Sequence, residues 1–180
     1  ASSWWAKSMK LHSTNAWCEM MVPALEKAAQ VSSVLSQDAL WLEFGVAGGK
    51  SSNFIAVWLQ EHFTNAVPPT LHGFDSFRGL PEAWAHSGVG EGAFSQGGEV
   101  PERLLGISNF EAHVGLFSAT LQQVDASLPI AFAHIDVDIY SSAVAVLSRL
   151  ACQLVPGSVL VFDEFVNYHG FERAGEFKAW

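Results

Sequence analysis

Trp41-Leu-Glu-Phe-Gly-Val-Ala-Gly-Gly-Lys-Ser-Ser52 is the stretch on which the fold turns. Residues 39–45 form a short apolar run closed by glycine, which reads as a buried strand. Residues 50–62 then set Phe54, Ile55, Trp58 and Leu59 on one face, the spacing of a helix. The glycines between them permit positive φ and let backbone approach a ligand closely. The helix that follows offers unpaired amides at its start.

Outward from this unit the alternation repeats. Residues 70–75, 113–117, 130–136 and 158–163 read as further strands. Residues 141–154 carry Ala143, Val146, Leu147, Leu150 and Leu154 in helical register, and residues 171–180 begin a last helix. Upstream, Trp17, Met20, Met21, Ala24, Ala28, Val31 and Leu35 form another helical stripe, with Pro23 marking where its regular part starts. Strands alternating with helices imply a doubly wound, mostly parallel α/β sheet, here residues 39–180 behind an N-terminal helical segment, 1–38. Residues 78–101 are rich in Gly, Pro and Ser and too long for an ordinary connection, so they are functional or mobile.

Composition narrows the partners. Hydrophobic residues make up 49% and charged ones 15%, so the chain buries a core. A net charge of −9 and the lack of any basic run disfavour nucleic acid and anionic membrane. No apolar run is long enough to span a bilayer, no signal peptide is visible, and Ala1 in place of Met reads as a trimmed start. Cys18 and Cys152 match no metal-ligand spacing and read as buried thiols, in keeping with a reducing, cytoplasmic setting.

The glycine turn excludes some ligands. A P-loop needs four residues between its first glycine and Gly-Lys, but only Val46, Ala47 and Gly48 separate Gly45 from Gly49-Lys50. A dinucleotide fingerprint needs glycine where Ala47 stands. A methyltransferase nucleotide turn carries an acid before its first glycine, and Glu43 supplies one. A ligand-free tight turn is the alternative. Asp75 ends the next strand, where a carboxylate can accept both ribose hydroxyls; a helix cap is the competing role.

Glu43, Asp75, Asp136 and Asp163 all fall at strand ends, the edge where such sheets bind ligands. One helix and one turn separate Asp136 from Asp163, so they end neighbouring strands about 4.8 Å apart. With Glu164, and Asp138 as a further donor, they form an oxygen-rich set suited to Mg²⁺, Ca²⁺ or Mn²⁺. The competing reading has Asp138 cap the following helix while the other acids face water. Among the histidines, His169 is the best placed to act as a base. His72, His113 and His134 read as strand residues, and His86 lies in the long loop.

Five blocks stand in one order: Glu43-Phe-Gly-Val-Ala-Gly-Gly49, His72-Gly-Phe-Asp-Ser-Phe-Arg-Gly-Leu-Pro-Glu82, Gly115-Leu-Phe-Ser-Ala-Thr-Leu121, His134-Ile-Asp-Val-Asp-Ile-Tyr-Ser-Ser142 and Pro156-Gly-Ser-Val-Leu-Val-Phe-Asp-Glu164. Together they resemble the macrocin O-methyltransferase group of class I methyltransferases. The resemblance implies S-adenosylmethionine as cofactor, Mg²⁺, and a small-molecule hydroxyl such as a sugar's as methyl acceptor. Glu43, Gly45, Val46 and Ala47 would hold the methionine portion and Asp75 the ribose. Ser76, Phe117 and Ser118 would lie near the adenosine, while Gly48, Ser51 and Asp136 complete the cofactor set. Asp136, Asp163 and Glu164 match the metal ligands, with Glu164 standing where relatives often have a second aspartate. Asp136 and His169 are the catalytic candidates. Trp84 and Phe94 would wall the substrate beneath a closing 78–101 loop. The resemblance also implies two more strands than this chain holds, so either the chain is a fragment or homo-oligomerisation covers the edge. A non-catalytic ligand-binding domain and a nicotinamide-dependent oxidoreductase are the alternatives.

Overall fold

The computed structural model describes residues 15–35, 38–64, 66–85, 87–166 and 168–180. Expectations for His86 and for the first fourteen residues lie outside them. Five strands, β1 (Leu40–Phe44), β2 (Leu71–Asp75), β3 (Phe110–Val114), β4 (Ile130–Ile135) and β5 (Val159–Phe162), form one parallel sheet in the order β3-β2-β1-β4-β5. Every residue of β1 and β4 is buried, as central parallel strands require. The sheet is the doubly wound class I methyltransferase architecture.

Helices cover both faces. Helix α1 (Asn15–Leu35) and α2 (Lys50–His62) pack on the face carrying Trp41, Phe132 and Val161. The short α3 (Phe117–Thr120) and the longer α4 (Tyr140–Leu150) cover the face of Leu42, Phe44, Phe74 and Ile135. A final helix, α5 (Gly175–Ala179), packs against α4. No described helix is long and apolar enough to cross a membrane.

Three expectations need correction. Helix α1 begins at Asn15, so Pro23 lies inside it. The ring sits on the exposed side, while Cys18 and Met21 before it and Leu25 and Ala28 after it anchor the helix to the core. The third strand ends at Val114, because Gly115 takes φ +149 and turns the chain into α3. Cys18 is buried as expected, but Cys152 is exposed beyond α4.

The strand order reverses between β1 and β4, which opens a crevice at their carboxyl ends. Gly45 N donates to Phe74 O at 3.0 Å, Asp136 N to Phe44 O at 2.9 Å and Asp163 N to Ile135 O at 3.0 Å, so the strand ends stay in rank. Gly45 has φ +86, and a Cβ there would overlap the Asp136 carbonyl. Gly45→Ala should therefore cost more than the roughly 1–2 kcal/mol of left-handed strain alone. Urea denaturation measures it, and a loss below that range would mean the crevice is looser than drawn.

Candidate active site

A cavity of about 450 Å³ fills this crevice. Gly45 and Ala47 of the glycine turn, Asp75, Ser76, Phe117, Ser118, Asp136, Asp138, Asp163 and Glu164 line it. The 78–101 loop contributes Gly79, Leu80, Pro81, Trp84 and Phe94. That loop is ordered by its own bonds: Leu80 N donates to Ala93 O at 3.0 Å and Gly98 N to Phe77 O at 2.8 Å. Phe77, 1% exposed, roots it beside Val46 and Leu104, and Ser141 Oγ donates to Glu82 Oε1 at 2.6 Å across the mouth.

Several sequence candidates stand behind this wall. Val46 is buried, and Gly48 and Ser51 sit at the turn and the start of α2; none of the three lines the cavity. Glu43 turns its carboxylate into the interior, where Ser52 Oγ donates to Oε2 and His134 Nδ1 lies 3.0 Å from Oε1. His169 is exposed and away from the cavity wall.

Asp75 is heavily used. Its Oδ2 accepts the amides of Val46 at 2.9 Å and Ala47 at 2.7 Å, and its Oδ1 accepts Phe77 N at 2.7 Å. It therefore ties the glycine turn to the end of β2, a cap on a neighbouring turn rather than on a helix. A carboxylate offers about four lone-pair sites, so capacity remains for a ligand hydroxyl.

The acids beyond β4 and β5 are strongly coupled. Burial pushes the Asp136 carboxyl well above its ordinary range; His134 opposes this, and Asp163, Asp138 and Glu176 add to it. Burial also raises Asp138 to about 7, helped by Glu164, Asp163 and Asp75. Asp138 takes φ 59 and does not cap α4, whose start has no side-chain cap. Asp163 moves the other way, held low by the His134 imidazole beside it despite its own burial, with the Trp17 indole as a further donor.

His134 is fully buried between Glu43 and Asp163. Burial opposes its charge, but the two carboxylates prevail and hold its pKa up at about 10. Its Nε2 lies 3.9 Å from Asp163 Oδ1, too far for a hydrogen bond, and has no other partner. One donor atom each from His134, Asp136 and Asp163 lie within 4.8 Å of one another. The crowded carboxylates beside it fit a divalent cation, which His134 can ligate only on losing its Nε2 proton. Glu164 lines the same cavity but is not part of that mutually close group.

Sequence reasoning missed Glu176. It is wholly buried on α5, and its carboxylate accepts Val137 N at 3.0 Å and Glu164 N at 3.3 Å. It thus holds both acid-bearing loops, and no local pattern announces it. Trp17 belongs to the apolar stripe of α1, yet it also reaches Asp163 and stands edge-on to His134. Glu176→Ala should cost about 2–4 kcal/mol, because two amides lose their acceptor. Chemical denaturation reads the loss, and a neutral substitution would show that water replaces the carboxylate.

Comparison with known proteins agrees with this geometry. The family described as a methyltransferase domain matches residues 42–165. No curated protein matches the chain. Among solved structures, the calicheamicin methyltransferase CalS11 superposes with a TM-score of 0.67 at 22% identity, covering 89% of this chain and 70% of that one. The O-methyltransferase NovP gives 0.58 at 20% identity, covering 79% and 65%. An apo structure of CalS11, described as a TDP-rhamnose 3′-O-methyltransferase, gives 0.58 at 23%, covering 89% and 69%. These likenesses are likenesses of fold, and the chain spans about two thirds of each relative's length. The family match extends from inside β1 to just past the Asp163-Glu164 pair, and on that span the chain belongs to the methyltransferase-domain family.

Proposed function

We propose that this protein moves a methyl group from S-adenosylmethionine to a hydroxyl oxygen of a small molecule such as a sugar, as the macrocin group does, with Mg²⁺ as the assisting cation. The observation that carries this reading is the continuous cavity joining the glycine turn, Asp75 and the Asp136, Asp138, Asp163 and Glu164 cluster. The description of one similar structure as a sugar-nucleotide O-methyltransferase supports the choice of acceptor.

When bound, S-adenosylmethionine supplies an electrophilic methyl on a sulfonium, and a hard divalent cation supplies positive charge that favours the ionised acceptor. Gly45 and Ala47 give the methionine portion a wall of bare backbone. Glu43, Val46, Gly48 and Ser51 shape that wall from behind. Asp75 offers its remaining lone pair to a ribose hydroxyl, and Ser76, Phe117 and Ser118 flank the adenosine. Asp136 and Asp163, with His134 and Glu164 beside them, would hold the cation. Asp138, in the cavity wall, would take up the acceptor's proton; His169 is exposed and does not line the cavity. Trp84 and Phe94 line the acceptor side, and the loop around them limits water.

Titration calorimetry with S-adenosylhomocysteine and, separately, NAD tests the cofactor. Binding of the first alone is expected, and no binding at millimolar concentration overturns the reading. A labelled-methyl screen against sugars, catechols and amines then identifies the acceptor class.

A further inference from the structure

At the outer edge of the sheet, β2 and β3 bring His72, Glu111 and His113 together. His72 and Glu111 are direct cross-strand partners and His113 follows two residues on, so all three project from one face. None of them lines the cavity. His72 Nδ1 lies 3.0 Å from His113 Nε2. The Glu111 carboxylate lies 3.7 Å from His72 Nδ1 and 3.8 Å from His113 Nε2. A tetrahedral zinc ion with bonds of about 2.0–2.1 Å sets its ligands about 3.3–3.4 Å apart. The three observed separations straddle that edge.

The surroundings prepare the histidines as ligands. His113 Nδ1 meets Gln123 Oε1 at 2.7 Å. With a carbonyl oxygen as partner, Nδ1 carries the proton and Nε2 keeps its lone pair toward the cluster. Metal-binding histidines are held in this way through their second nitrogen. Phe74 stacks on the His113 ring at 4.4 Å and 11°, which fixes its plane. His72 is 18% exposed, His113 4% and Glu111 60%, so an ion can enter from the Glu111 side and keep a water there.

The geometry points to a second metal site, in which His72 Nδ1, His113 Nε2 and the Glu111 carboxylate bind Zn²⁺ and clip edge strand β3 to β2. Two imidazoles with one carboxylate suit zinc better than magnesium. The clip braces the strand that runs through Val114 into the Gly115–Ser118 wall of the cavity. It stands independently of the methyl-transfer reading.

Co²⁺ titration into the full chain, followed by visible absorption, tests it. An Asp163→Asn background weakens the cavity's own cluster. One equivalent should bind with the intense bands of low-coordinate nitrogen ligation, and Zn²⁺ should displace it. Gln123→Leu should weaken binding about 10- to 100-fold, Glu111→Gln at least about tenfold, and His72→Ala should abolish it. Glu111 is exposed, so Glu111→Gln should melt at the parent's temperature without metal, which separates lost ligation from misfolding. Absence of the bands in the parent, or equal bands in Glu111→Gln and Gln123→Leu, would leave a plain hydrogen-bonded network and overturn the site.

Discussion

Asp163→Asn should lower methyl transfer by about 10²–10³-fold, the usual effect of removing one preorganised charge-stabilising group. Affinity for S-adenosylhomocysteine should change little, because the glycine turn and Asp75, and not Asp163, are the groups that would hold it. The size of the effect follows from the place of Asp163. It is one of three mutually close donors with His134 and Asp136, and the only one of them held below its ordinary pKa. It is therefore the carboxylate already ionised near neutral pH, and the strongest attraction for a cation. Asparagine keeps the shape and removes the charge. Chelation of the parent protein with EDTA should act in the same direction. The measurement is turnover at saturating cofactor, with calorimetry as the control for binding. Turnover indifferent both to Asp163→Asn and to EDTA would remove the metal from the mechanism.

The parts of the molecule legible in the sequence are those governed by local period and by strand ends. Helix α2 runs over the residues its apolar spacing marks, because Phe54, Ile55, Trp58 and Leu59 all face the core. Asp75, Asp136 and Asp163 could be placed at one edge because parallel strands share their carboxyl ends. The sequence pattern sets the third strand too far toward Phe117 because β3 is an edge strand with mixed exposure, and the residues after it are more apolar than those within it. Pro23 misled for a related reason: propensity is local, while the anchors on either side of it are tertiary. Glu43 and His134 could not be paired from sequence at all. They face one another only through the β1–β4 register, which shifts between Leu40 and Trp41. The acid two residues before the first glycine faces the interior, where its carboxylate meets Ser52 and His134, partners that no local pattern announces.

That buried pair carries the largest expected effect on stability. Glu43 and His134 are both 0% exposed, and His134 stays protonated up to about 10. Glu43→Gln leaves the imidazolium without its hydrogen-bonded carboxylate, with Asp163 at 3.9 Å and the field of Asp136. Breaking a buried ion pair from one side costs about 3–5 kcal/mol, which for a domain of this size is roughly 6–20 °C in Tm. His134→Gln should cost a similar amount, since it strands the Glu43 carboxylate beside Ser52. The decisive measurement is the double variant. A buried pair replaced on both sides can be nearly neutral, so Glu43→Gln with His134→Gln should lose well under the sum of the single changes. Coupling of about 1–3 kcal/mol in the cycle is expected. The sign of the pH dependence follows from the raised histidine pKa. Folding gains from the pair in full below about 6.5, and the gain fades as pH rises through about 10. The parent should therefore lose stability across that interval more steeply than the double variant. Additive single changes, or identical alkaline slopes, would mean that His134 is neutral in the folded protein and that Asp163 owes its low pKa to Trp17 instead.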